Sequence, residues 1–394
     1  MTQEKKHSGT GQDCPEGYKS CDGYRIPKEW HIVRFDSLFS RVTRKNDENN
    51  QNVLTISAQQ GLISQIEYYN TLYASENKTG YTLLHRGDFS YNKSYSSGYA
   101  YGAIKRLDAY EKGIVSPLYL CFTPRQGVNS DFYLQYFEAG CFDREIYKIA
   151  QEGARNHGLL NVSTEDFFHS MLVFPPLEEQ ERITEILTQC DHVIELKEQK
   201  LDELKQLKKE FLRKMFPAKG CDTPEIRFPG FTGAWEQRKL GELSSVFKSG
   251  DFISASEIAE TGKYPVFGGN GLRGFTDRYN HDGEYALIGR QGALCGNVNY
   301  SVGKSYFTEH AIAVKAGKAN ETRFLYYLFS TMNLGQYSGQ SAQPGLAVGN
   351  LIALENVVPN KAEQSKISSI LTALDTLITL HQRELEETKT YKKT

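Results

Sequence analysis

The residues of this chain that are able to do chemistry are hydrogen-bond donors and cations, not a recognisable catalytic set. The HExxH motif of zinc enzymes does not occur. The segment Gly303-Lys304-Ser305 lacks the glycine that a phosphate-binding loop needs five residues before its Gly-Lys pair. No nucleophile, base and orienting residue stand at a suggestive spacing. We therefore expect a binding protein with no catalytic residue and no metal site.

A polar, tyrosine-rich loop in the first half of the chain carries donors that suit nucleic acid. Amide, hydroxyl and ammonium groups of this kind contact base edges and phosphates. The alternative is an ordinary tyrosine-rich hairpin with solvated tips. The candidate contacts are Tyr91, Asn92, Lys93, Ser94, Tyr95, Ser97 and Tyr99, followed by Lys105 and Arg106.

Two glycine-bracketed loops, at residues 153–158 and 339–345, stand at equivalent places in the two halves of the chain. An arginine fork suits guanine or phosphate, and a side-chain amide suits adenine. The alternative is a structural turn that only returns the chain to the next helix. The candidate contacts are Arg155, Asn156 and His157 in the first loop, and Gln340 and Gln343 in the second.

Within the second half of the chain, the strongest candidate is the turn Gly289-Arg290-Gln291-Gly292. Glycines allow close backbone approach, and an arginine fork binds phosphate or guanine. The alternative pairs Arg290 with an acid such as Glu284. A nearby loop satisfies GxGxxG, but no helix opens after it, so we expect no dinucleotide site there. The candidate contacts are Arg290, Gln291 and Asn297, with Asn270 and Arg273 in the GxGxxG loop.

These loops belong to two copies of one unit. The segment that begins Glu179-Gln-Glu-Arg-Ile recurs as Glu363-Gln-Ser-Lys-Ile, at an offset of 184 residues and without a gap. Upstream, Pro27-Lys-Glu-Trp30 is answered by Gly233-Ala-Trp235. Internal repeats decide architecture. Each copy has an aromatic start, a variable body and a long helix, and the unlike bodies indicate two related tasks on two different targets.

Each body ends at proline, and a long helix follows. Proline cannot donate to a sheet but suits a helix start, where acidic residues are also favoured. Asn360 and Glu363 have the spacing of a capping box. The first helix continues into an apolar end, residues 211–216, which has no counterpart in the second helix.

The two helices carry apolar seams at the same heptad positions, interrupted by Lys197 and Lys208. Matching seams predict that the helices pack on each other, antiparallel if a two-fold axis relates the repeats. Besides the two lysines, the seam positions are Ile183, Leu187, Cys190, Ile194, Leu201, Leu204, Phe211 and Met215 in the first helix, and Ile367, Leu371, Leu374, Ile378, His381, Leu385 and Thr388 in the second.

Composition narrows the class of protein. The net charge is −2, so any basic surface must be local. Abundant tyrosine, phenylalanine and glycine favour β-rich domains. Seven cysteines, no CxxC motif and no apolar leader predict reduced thiols and a cytoplasmic location. No apolar run approaches the length of a membrane span.

The sequence thus predicts an α+β protein in which two β-rich bodies are separated by a pair of long antiparallel helices, with a pseudo-two-fold internal repeat. Short alternating segments predict strands at Asn52–Ser57, Tyr81–Leu84, Ile114–Phe122 and Met171–Phe174, and a helix at Phe132–Phe142. The expected boundaries are a flexible leader at 1–23, a first body at 24–176, a central helical region at 177–216, a linker at 217–230, a second body at 231–359 and a shorter C-terminal helical region at 360–394.

Several motifs together carry a resemblance to a known family. They are Pro175-Pro176-Leu-Glu-Glu-Gln180 with Ile183 and Leu187, the second copy Pro359 with Glu363-Gln364, Ile367 and Leu371, the two aromatic starts, and Ala286–Gly292. Each motif is weak, but a proline-ended strand followed by Glu-Gln and a long helix, found twice around two β-rich bodies, is specific. The chain resembles the specificity (S) subunits of type I restriction-modification systems.

The resemblance implies a non-catalytic subunit whose bodies are target recognition domains, each reading one half of a bipartite, asymmetric site in double-stranded DNA. The helices would set the gap and dock two methyltransferase (M) subunits, and restriction/translocase (R) subunits would join. S-adenosylmethionine would bind M, ATP and Mg²⁺ would bind R, and no cofactor would bind this chain. The docking residues implied are Ile183, Leu187, Ile194, Leu201, Ile367, Leu371 and Ile378.

The alternative reading is a two-module helical scaffold or adaptor that binds something other than DNA. Composition alone allows it. The paired Glu-Gln helix starts count against it, and no motif supports an enzyme. One departure from the family matters: members usually complete the second helix with an apolar end like residues 211–216. We therefore expect the far end of the helix pair, and one M contact, to differ.

Overall fold

A computed structural model describes residues 15–21, 23–57, 60–71, 73–74, 77–95, 98–150, 160–292, 294–339 and 345–393. Its contacts divide the chain into two compact units. Unit 1 comprises residues 1–193 with 390–394, and unit 2 comprises residues 194–389. The division falls inside the first long helix, so the domain boundaries expected from the sequence stay a prediction. None of the described helices is long and apolar enough to span a membrane.

Unit 1 is a body of short strands and helices that leads into a long helix. Its elements are β1 Tyr18–Cys21, β2 Tyr24–Pro27, β3 His31–Arg34, α1 Phe35–Leu38, β4 Phe39–Arg41, β5 Leu54–Ser57, β6 Gly61–Ser64, α2 Gln65–Tyr69, β7 Thr82–His85, β8 Phe89–Asn92, β9 Ala103–Arg106, β10 Lys112–Val115, β11 Leu120–Pro124, α3 Ser130–Glu138, α4 Asp143–Ile149, α5 Thr164–His169, β12 Met171–Phe174 and α6 Leu177–Lys214.

The core of this body is aromatic. A four-stranded antiparallel sheet in the order β4-β11-β8-β9 supplies one wall. Phe35 is fully buried, and its ring lies 4.9 Å from those of Phe39 and Phe122 and 4.8 Å from that of Phe167. Each buried aromatic side chain removes a large apolar area from water, so this cluster fixes the sheet against the helices.

Unit 2 is a second body of short strands and helices, followed by the second long helix. Its elements after α6 are β13 Glu236–Lys239, α7 Leu240–Leu243, β14 Ser244–Ser249, β15 Tyr264–Gly268, β16 Gly271–Thr276, β17 Glu284–Gly289, β18 Val298–Val302, β19 Tyr306–Phe307, β20 Ala311–Ala316, α8 Thr322–Thr331, α9 Val348–Ile352, β21 Glu355–Val358 and α10 Lys361–Lys393, with 3-10 helices at Ala255–Glu257 and Leu334–Tyr337.

The repeat is visible in the sheet topology. Unit 2 contains an antiparallel sheet in the order β14-β20-β17-β18, which matches β4-β11-β8-β9 of unit 1. In each unit the strand that leads to the long helix pairs antiparallel with the strand near the start of the body, β12 with β3 and β21 with β13. The start and the end of each body are therefore tied together at the base of a long helix.

A buried glutamine fixes each junction between strand and helix. Gln180 donates from Nε2 to the carbonyl oxygen of Pro175 at 2.7 Å, and Gln364 donates in the same way to Pro359 at 2.9 Å. Both glutamines are 1% exposed. Proline ends the strand but leaves its carbonyl needing a donor, which the glutamine supplies. The repeated Glu-Gln pair therefore has a structural reason.

The second half of α6 and α10 form an antiparallel pair within unit 2. Salt bridges join Lys208 to Asp375 at 2.5 Å, Lys197 to Glu384 at 3.0 Å and Glu198 to Lys389 at 2.7 Å. Residues later in α6 thus pair with residues earlier in α10, so the two helices run antiparallel. Six seam residues of the two helices are buried: Leu201, Leu204, Ile367, Leu371, Leu374 and Leu385. The predicted seam and its direction are confirmed, and the two lysine interruptions are cross-helix ion pairs.

Equivalent aspartates join the bodies to the helices. In unit 1, Asp191 accepts from Gln135 at 2.9 Å and from Lys392 at 2.5 Å. In unit 2, its repeat partner Asp375 accepts from Tyr327 at 2.8 Å and pairs with Lys208 at 2.5 Å. Gln135 and Tyr327 are each the sixth residue of their body helix, α3 and α8. Lys208 and Lys392 are themselves repeat partners.

The apolar end of α6 belongs to the core of unit 2. Met215 is 3% exposed and Phe216 is 4% exposed. The ring of Phe216 stacks on that of Phe324 at 5.4 Å and meets the edge of Trp235 at 6.1 Å. Residues 211–216 therefore attach the first helix to the second body, and their role is packing within that unit.

Several local expectations need correction. Residues 18–21, placed in the flexible leader, form β1 and pair with β2, whereas residues 1–14 and 22 lie outside the described part of the chain. The expected strand Ile114–Phe122 is two strands, β10 and β11, because the intervening turn contains Pro117. The helix expected at Phe132–Phe142 is α3, which begins two residues earlier and ends at Glu138, and the separate helix α4 begins only at Asp143.

The capping box at the start of α10 is only half formed. Asn360 accepts from the backbone N–H of Glu363 at 3.0 Å, as expected. The Glu363 carboxylate does not return to Asn360, because it accepts two hydrogen bonds from Arg227 at 2.7 and 2.8 Å. Glu363 is 1% exposed, and these hydrogen bonds raise the pKa of Arg227. The linker is thus clamped to the second helix.

This clamp predicts a large stability effect. Arg227→Ala leaves the buried Glu363 carboxylate unpaired, and we expect the free energy of unfolding to fall by about 3 kcal/mol. The double variant Arg227→Ala with Glu363→Gln recovers part of this loss, since no buried charge remains. Urea denaturation of the full chain measures both. The control, Arg238→Ala, breaks an exposed pair with Glu236 and should change little. Equal effects of Arg227→Ala and Arg238→Ala would contradict the clamp.

Candidate nucleic-acid interface

Two cations that follow the tyrosine-rich loop, predicted as DNA contacts, are paired with acids of the same body. Lys105 is 5% exposed, and its ammonium lies 2.6 and 2.7 Å from the two carboxylate oxygens of Glu138. Arg106 donates to Asp108 at 2.7 Å and to Asp131 at 2.6 Å. Because both cations are paired with carboxylates of their own body, we assign them a structural role in place of the predicted DNA contact.

Two tyrosines of the same loop also hold the body together. Tyr91 is 0% exposed, and its hydroxyl donates to the carbonyl oxygen of Tyr101 at 2.8 Å. Burial raises the pKa of Tyr91, so it remains a neutral donor. Tyr99 donates to Glu138 at 2.9 Å. Tyr91 is therefore corrected to a core residue, and Tyr99 extends the buried Lys105–Glu138 pair.

Four residues of the loop keep a place at the surface. Tyr95 is 64% exposed, while Asn92, Lys93 and Ser94 are partly exposed. The Asn92 side chain accepts from the backbone N–H of Ser94 at 3.1 Å, which shapes the turn. These four stay predicted contacts. Ser97 lies outside the residues that the structure describes.

A basic cleft beside Lys93 contains residues that the sequence reasoning missed. It has a volume of about 290 Å³, and its cationic lining consists of Arg41, Lys45 and Lys93. Burial lowers the pKa of Lys93, and the nearby charge of Arg41 lowers it further. A local signal existed, since Arg41, Arg44 and Lys45 fall within five residues. Sequence alone could not separate them, and the structure shows that Arg44 pairs with Asp88.

The glycine-bracketed loops of the two bodies fall largely outside the described residues. Arg155, Asn156 and His157 lie there, as do Gln340 and Gln343. Their assignment as contacts stays a prediction. The structure does place Gly345, at the end of the second loop, in a backbone bridge with Gln291.

In unit 2 the predicted loops come together. The backbone N–H of Leu346 donates to the carbonyl oxygen of Arg290 at 2.8 Å. A β-carbon added at Gly269 would lie 3.0 Å from His310 O and 3.7 Å from Arg290 N, so the GxGxxG loop packs against the Arg290 turn. Exposed side chains cluster at this loop junction: Asn270, Arg273, Gln291 and Asn297 are exposed, and Arg290 is partly exposed.

Arg290 is available for a ligand. The acid offered as its alternative partner, Glu284, instead accepts from the Tyr300 hydroxyl at 2.8 Å. Within the described residues, no carboxylate forms an ion pair with Arg290. The Gln291 side chain lies 3.1 Å from the His310 ring nitrogen Nδ1. The loop junction therefore presents an unpaired guanidinium flanked by amides, a set that recognises guanine, adenine or phosphate.

A second surface of unit 2 combines aromatic rings with cations. The ammonium of Lys304 lies 4.7 Å from the ring centroid of Tyr279, whose ring meets that of Tyr264 at 5.0 Å. Lys263 lies 5.2 Å from the Tyr264 centroid. Tyr279 is 43% exposed. Basic residues interleaved with exposed aromatics are typical of nucleic-acid surfaces, and the sequence reasoning missed this cluster because its members are far apart in the chain.

The predicted docking residues of the helices lie in the seam. Leu201, Ile367 and Leu371 are buried, and Ile183, Leu187, Ile194 and Ile378 are partly buried. Buried side chains pack within their own unit and are not accessible to a partner. The prediction that Leu201, Ile367 and Leu371 dock an M subunit is therefore wrong. The other four positions stay a prediction.

A different apolar set is exposed on both helices. On α6, Val193, Leu196 and Leu207 are 43, 50 and 42% exposed; on α10, Leu377, Leu380 and Tyr391 are 43, 38 and 78% exposed. Each member of the first set stands 184 residues before a member of the second. We call these six residues the outer stripe. Their exposure at repeated positions makes the outer stripe a candidate surface for partner contact.

No cluster of three or more potential metal ligands occurs within the described residues. Comparison with known proteins shows where this architecture occurs. The profile of the family described as "Type I restriction modification DNA specificity domain" matches residues 27–206 and 233–390.

Two curated relatives are specificity subunits. The chain is 45% identical over 146 residues to that of the type I restriction enzyme EcoprrI of Escherichia coli, a match that covers only 36% of each protein. It is 21% identical over 418 residues to that of MjaVIII of Methanocaldococcus jannaschii, covering 96% of this chain and 93% of the relative.

A solved structure shows the same fold. The S subunit of a type I system from M. genitalium superposes with a TM-score of 0.61 at 16% identity, covering 92% of this chain and 94% of the other. The α+β architecture with two β-rich bodies and long paired helices is thereby confirmed.

The packing of the loop junction in unit 2 can be tested with one glycine. A β-carbon at Gly289 would collide with the carbonyl oxygen of Gly269 and lie 2.9 Å from that of Leu294. We expect Gly289→Ala to lower the free energy of unfolding by roughly 2 kcal/mol and to speed amide hydrogen exchange in both loops. Gly349→Ala, where nothing lies within 4 Å, is the control. Unchanged exchange in Gly289→Ala would show that the loops are not packed together.

Proposed function

Since the chain belongs to the family of type I restriction-modification DNA specificity domains, we propose that its two bodies each read one half of a bipartite, asymmetric site in double-stranded DNA. The observation that carries the proposal is the repeated frame with unlike surfaces. The junctions, sheets and aspartate contacts recur in both units, whereas the exposed donors do not. Two equivalent scaffolds that expose different hydrogen-bond donors suit the recognition of two different half-sites.

In unit 2 the reader is the loop junction around Arg290. Arginine suits guanine, and the amides of Asn270, Gln291 and Asn297 suit adenine. In unit 1 the corresponding donors are Asn92, Lys93, Ser94 and Tyr95. Loops on a rigid scaffold are the usual place for such contacts. Base readout by Asn92, Ser94 and Tyr95 in unit 1, and by the loop junction in unit 2, would give each body its own preference.

The long helices act as the spacer and as the docking platform for two M subunits. At about 1.5 Å per residue, the 38 residues of α6 extend roughly 57 Å, which is long enough to separate two readers on a duplex. The outer stripe occurs once on each helix, which supports one M subunit per helix. Apolar residues that are exposed in the free chain would then be buried in the complex.

The chemistry of the system belongs to the partners. The M subunits bind S-adenosylmethionine and methylate the site, and the R subunits use ATP and Mg²⁺ to translocate and cleave DNA. The chain itself directs these activities and catalyses none. With a net charge of −2, it attracts DNA weakly by itself, so we expect the M subunits to supply much of the phosphate contact.

Methylome sequencing tests this function directly. Cells that carry this chain and its M partner as their only methylation system should show one split, asymmetric motif. Arg290→Ala should relax or abolish one half of the motif and leave the other half intact, because the guanidinium serves one body. Arg238→Ala, an exposed arginine of the same unit that is paired with Glu236, is the control. A wild-type methylome without a split motif, or a variant that alters both halves, would contradict the proposal.

The outer stripe predicts a change in stoichiometry. Leu196→Glu or Leu380→Glu places a charge in an apolar contact, which costs several kcal/mol and should remove one M subunit from each complex. The double variant should bind none. Native mass spectrometry of the purified complex counts the subunits. Gln382→Glu adds the same charge to α10 outside the stripe and should keep both M subunits. Two bound M subunits in Leu380→Glu would place the docking surface elsewhere.

A further inference from the structure

The basic cleft of unit 1 differs from the rest of its body in how its charges are placed. Arg41 is the last residue of β4, Lys45 follows four residues later, and Lys93 lies just after β8. Four hydroxyl-bearing residues also line it: Thr43, Thr82, Tyr119 and Thr164. No aspartate or glutamate lines the cleft. It is therefore a small cavity with three positive charges and no internal counter-charge.

The partners of the three cations are neutral groups. Lys93 donates to the carbonyl oxygen of Val162 at 2.6 Å, and Lys45 donates to that of Gly80 at 3.2 Å. An ammonium has three donors, so each lysine retains donor capacity. Arg41 is exposed, and no hydrogen bond or ion pair of its side chain occurs among the described residues. Its planar fork of five N–H donors is free to bind a ligand.

Other cations of the same body are treated differently. Arg44, Lys105 and Arg106 are each paired with a carboxylate. Burial is the main cause of the lowered pKa of Lys93, and the charge of Arg41, which has no carboxylate partner among the described residues, lowers it further. Like charges gathered without an acid are unfavourable by themselves and are relieved by a bound anion. The cleft is thus preorganised for a negative group.

We propose that this cleft binds a phosphodiester group of the DNA backbone, with Arg41 and Lys93 as its principal ligands and Lys45 at the side. The proposal rests on the proposed function and deepens it. A phosphate fits because the lining supplies cations and hydroxyls without the amide or carboxylate pairs that distinguish bases. The volume of about 290 Å³ lies at the lower edge of the range of roughly 300–1,000 Å³ for ligand pockets, which suits a short backbone segment.

The position of the cleft gives this contact a purpose. Lys93 is followed directly by Ser94 and Tyr95, which stay candidate readers of bases. Phosphate contacts fix the register of a protein on the duplex, and base contacts specify the sequence. A phosphate held by Arg41 and Lys93 would therefore set the distance at which the neighbouring loop meets the groove.

The salt dependence of DNA binding by the complex of this chain with its M subunits tests the site. Each phosphate contact contributes about 0.9 to the slope of log K against log salt concentration. Arg41→Gln should lower the steepness by about 0.9 and weaken cognate and random duplex alike, by roughly tenfold. Arg41→Lys keeps the charge and should keep the slope. Lys112→Gln removes a cation of the same body that is paired with Glu48, outside the cleft, and serves as the control.

A second measurement identifies the source of the phosphate. Duplexes carrying one neutral methylphosphonate at successive positions should show one position where wild type loses affinity and Arg41→Gln does not. Calorimetry with inorganic phosphate tests whether the cleft instead binds the free phosphate ion. Saturable phosphate binding that Arg41→Gln removes, together with an unchanged salt slope, would overturn the assignment to DNA. A slope unchanged in Arg41→Gln, with no sensitive methylphosphonate position, would also overturn it.

These outcomes are distinct from failure of the proposed function. If the wild-type complex methylates one split motif while Arg41→Gln keeps wild-type affinity and slope, only the phosphate site is wrong. If wild type yields no split motif, the function itself fails. Arg41→Gln should also leave the motif unchanged in the methylome, because a phosphate contact carries no base preference. A changed motif in this variant would make Arg41 a base reader and contradict the phosphate assignment.

Discussion

The arrangement of each unit depends on an aspartate that stands at the same repeat position in the two long helices. Asp191 and Asp375 each accept one hydrogen bond from the sixth residue of a body helix, and each pairs with a lysine of the other long helix. One carboxylate thus fixes three elements together: a body, its own helix and the opposite helix. Since these pairs are partly exposed, geometry and not a large energy is their main contribution. The buried seam of leucine and isoleucine supplies the stability.

Around this conserved plan the two copies have diverged. In unit 1, Glu179 accepts from the indole of Trp30 at 2.7 Å. In unit 2, the equivalent Glu363 instead accepts a hydrogen bond from Arg227. The buried indole nitrogen of Trp235 has no hydrogen-bond acceptor among the described residues. The cations diverge further. Arg44, Lys105 and Arg106 are paired with acids, whereas no acid pairs with Arg41, Lys93 or Arg290 among the described residues. A neutral protein can therefore present local positive sites without a basic overall charge.

The sequence predicted the frame well and the surfaces poorly. The repeat, the seam and the helix starts follow from spacing, because periodicity and proline placement act locally. Met171–Phe174 was predicted to the residue, whereas Ile114–Phe122 concealed a turn. The contact residues were harder, since residue type does not reveal pairing. Lys105 and Arg106 looked like DNA ligands until Glu138 and Asp131 were seen beside them. Arg41 escaped notice because its cleft is assembled from strands distant in sequence.

The central claim is that two separable readers are held by a common helical frame. The most direct measurement replaces residues 231–359 with the second body of another member of the family and sequences the methylome of cells carrying this hybrid with its M partner. The account predicts a split motif in which one half is new, while the other half and the gap between them are unchanged. Alteration of both halves, or of the gap, would contradict it.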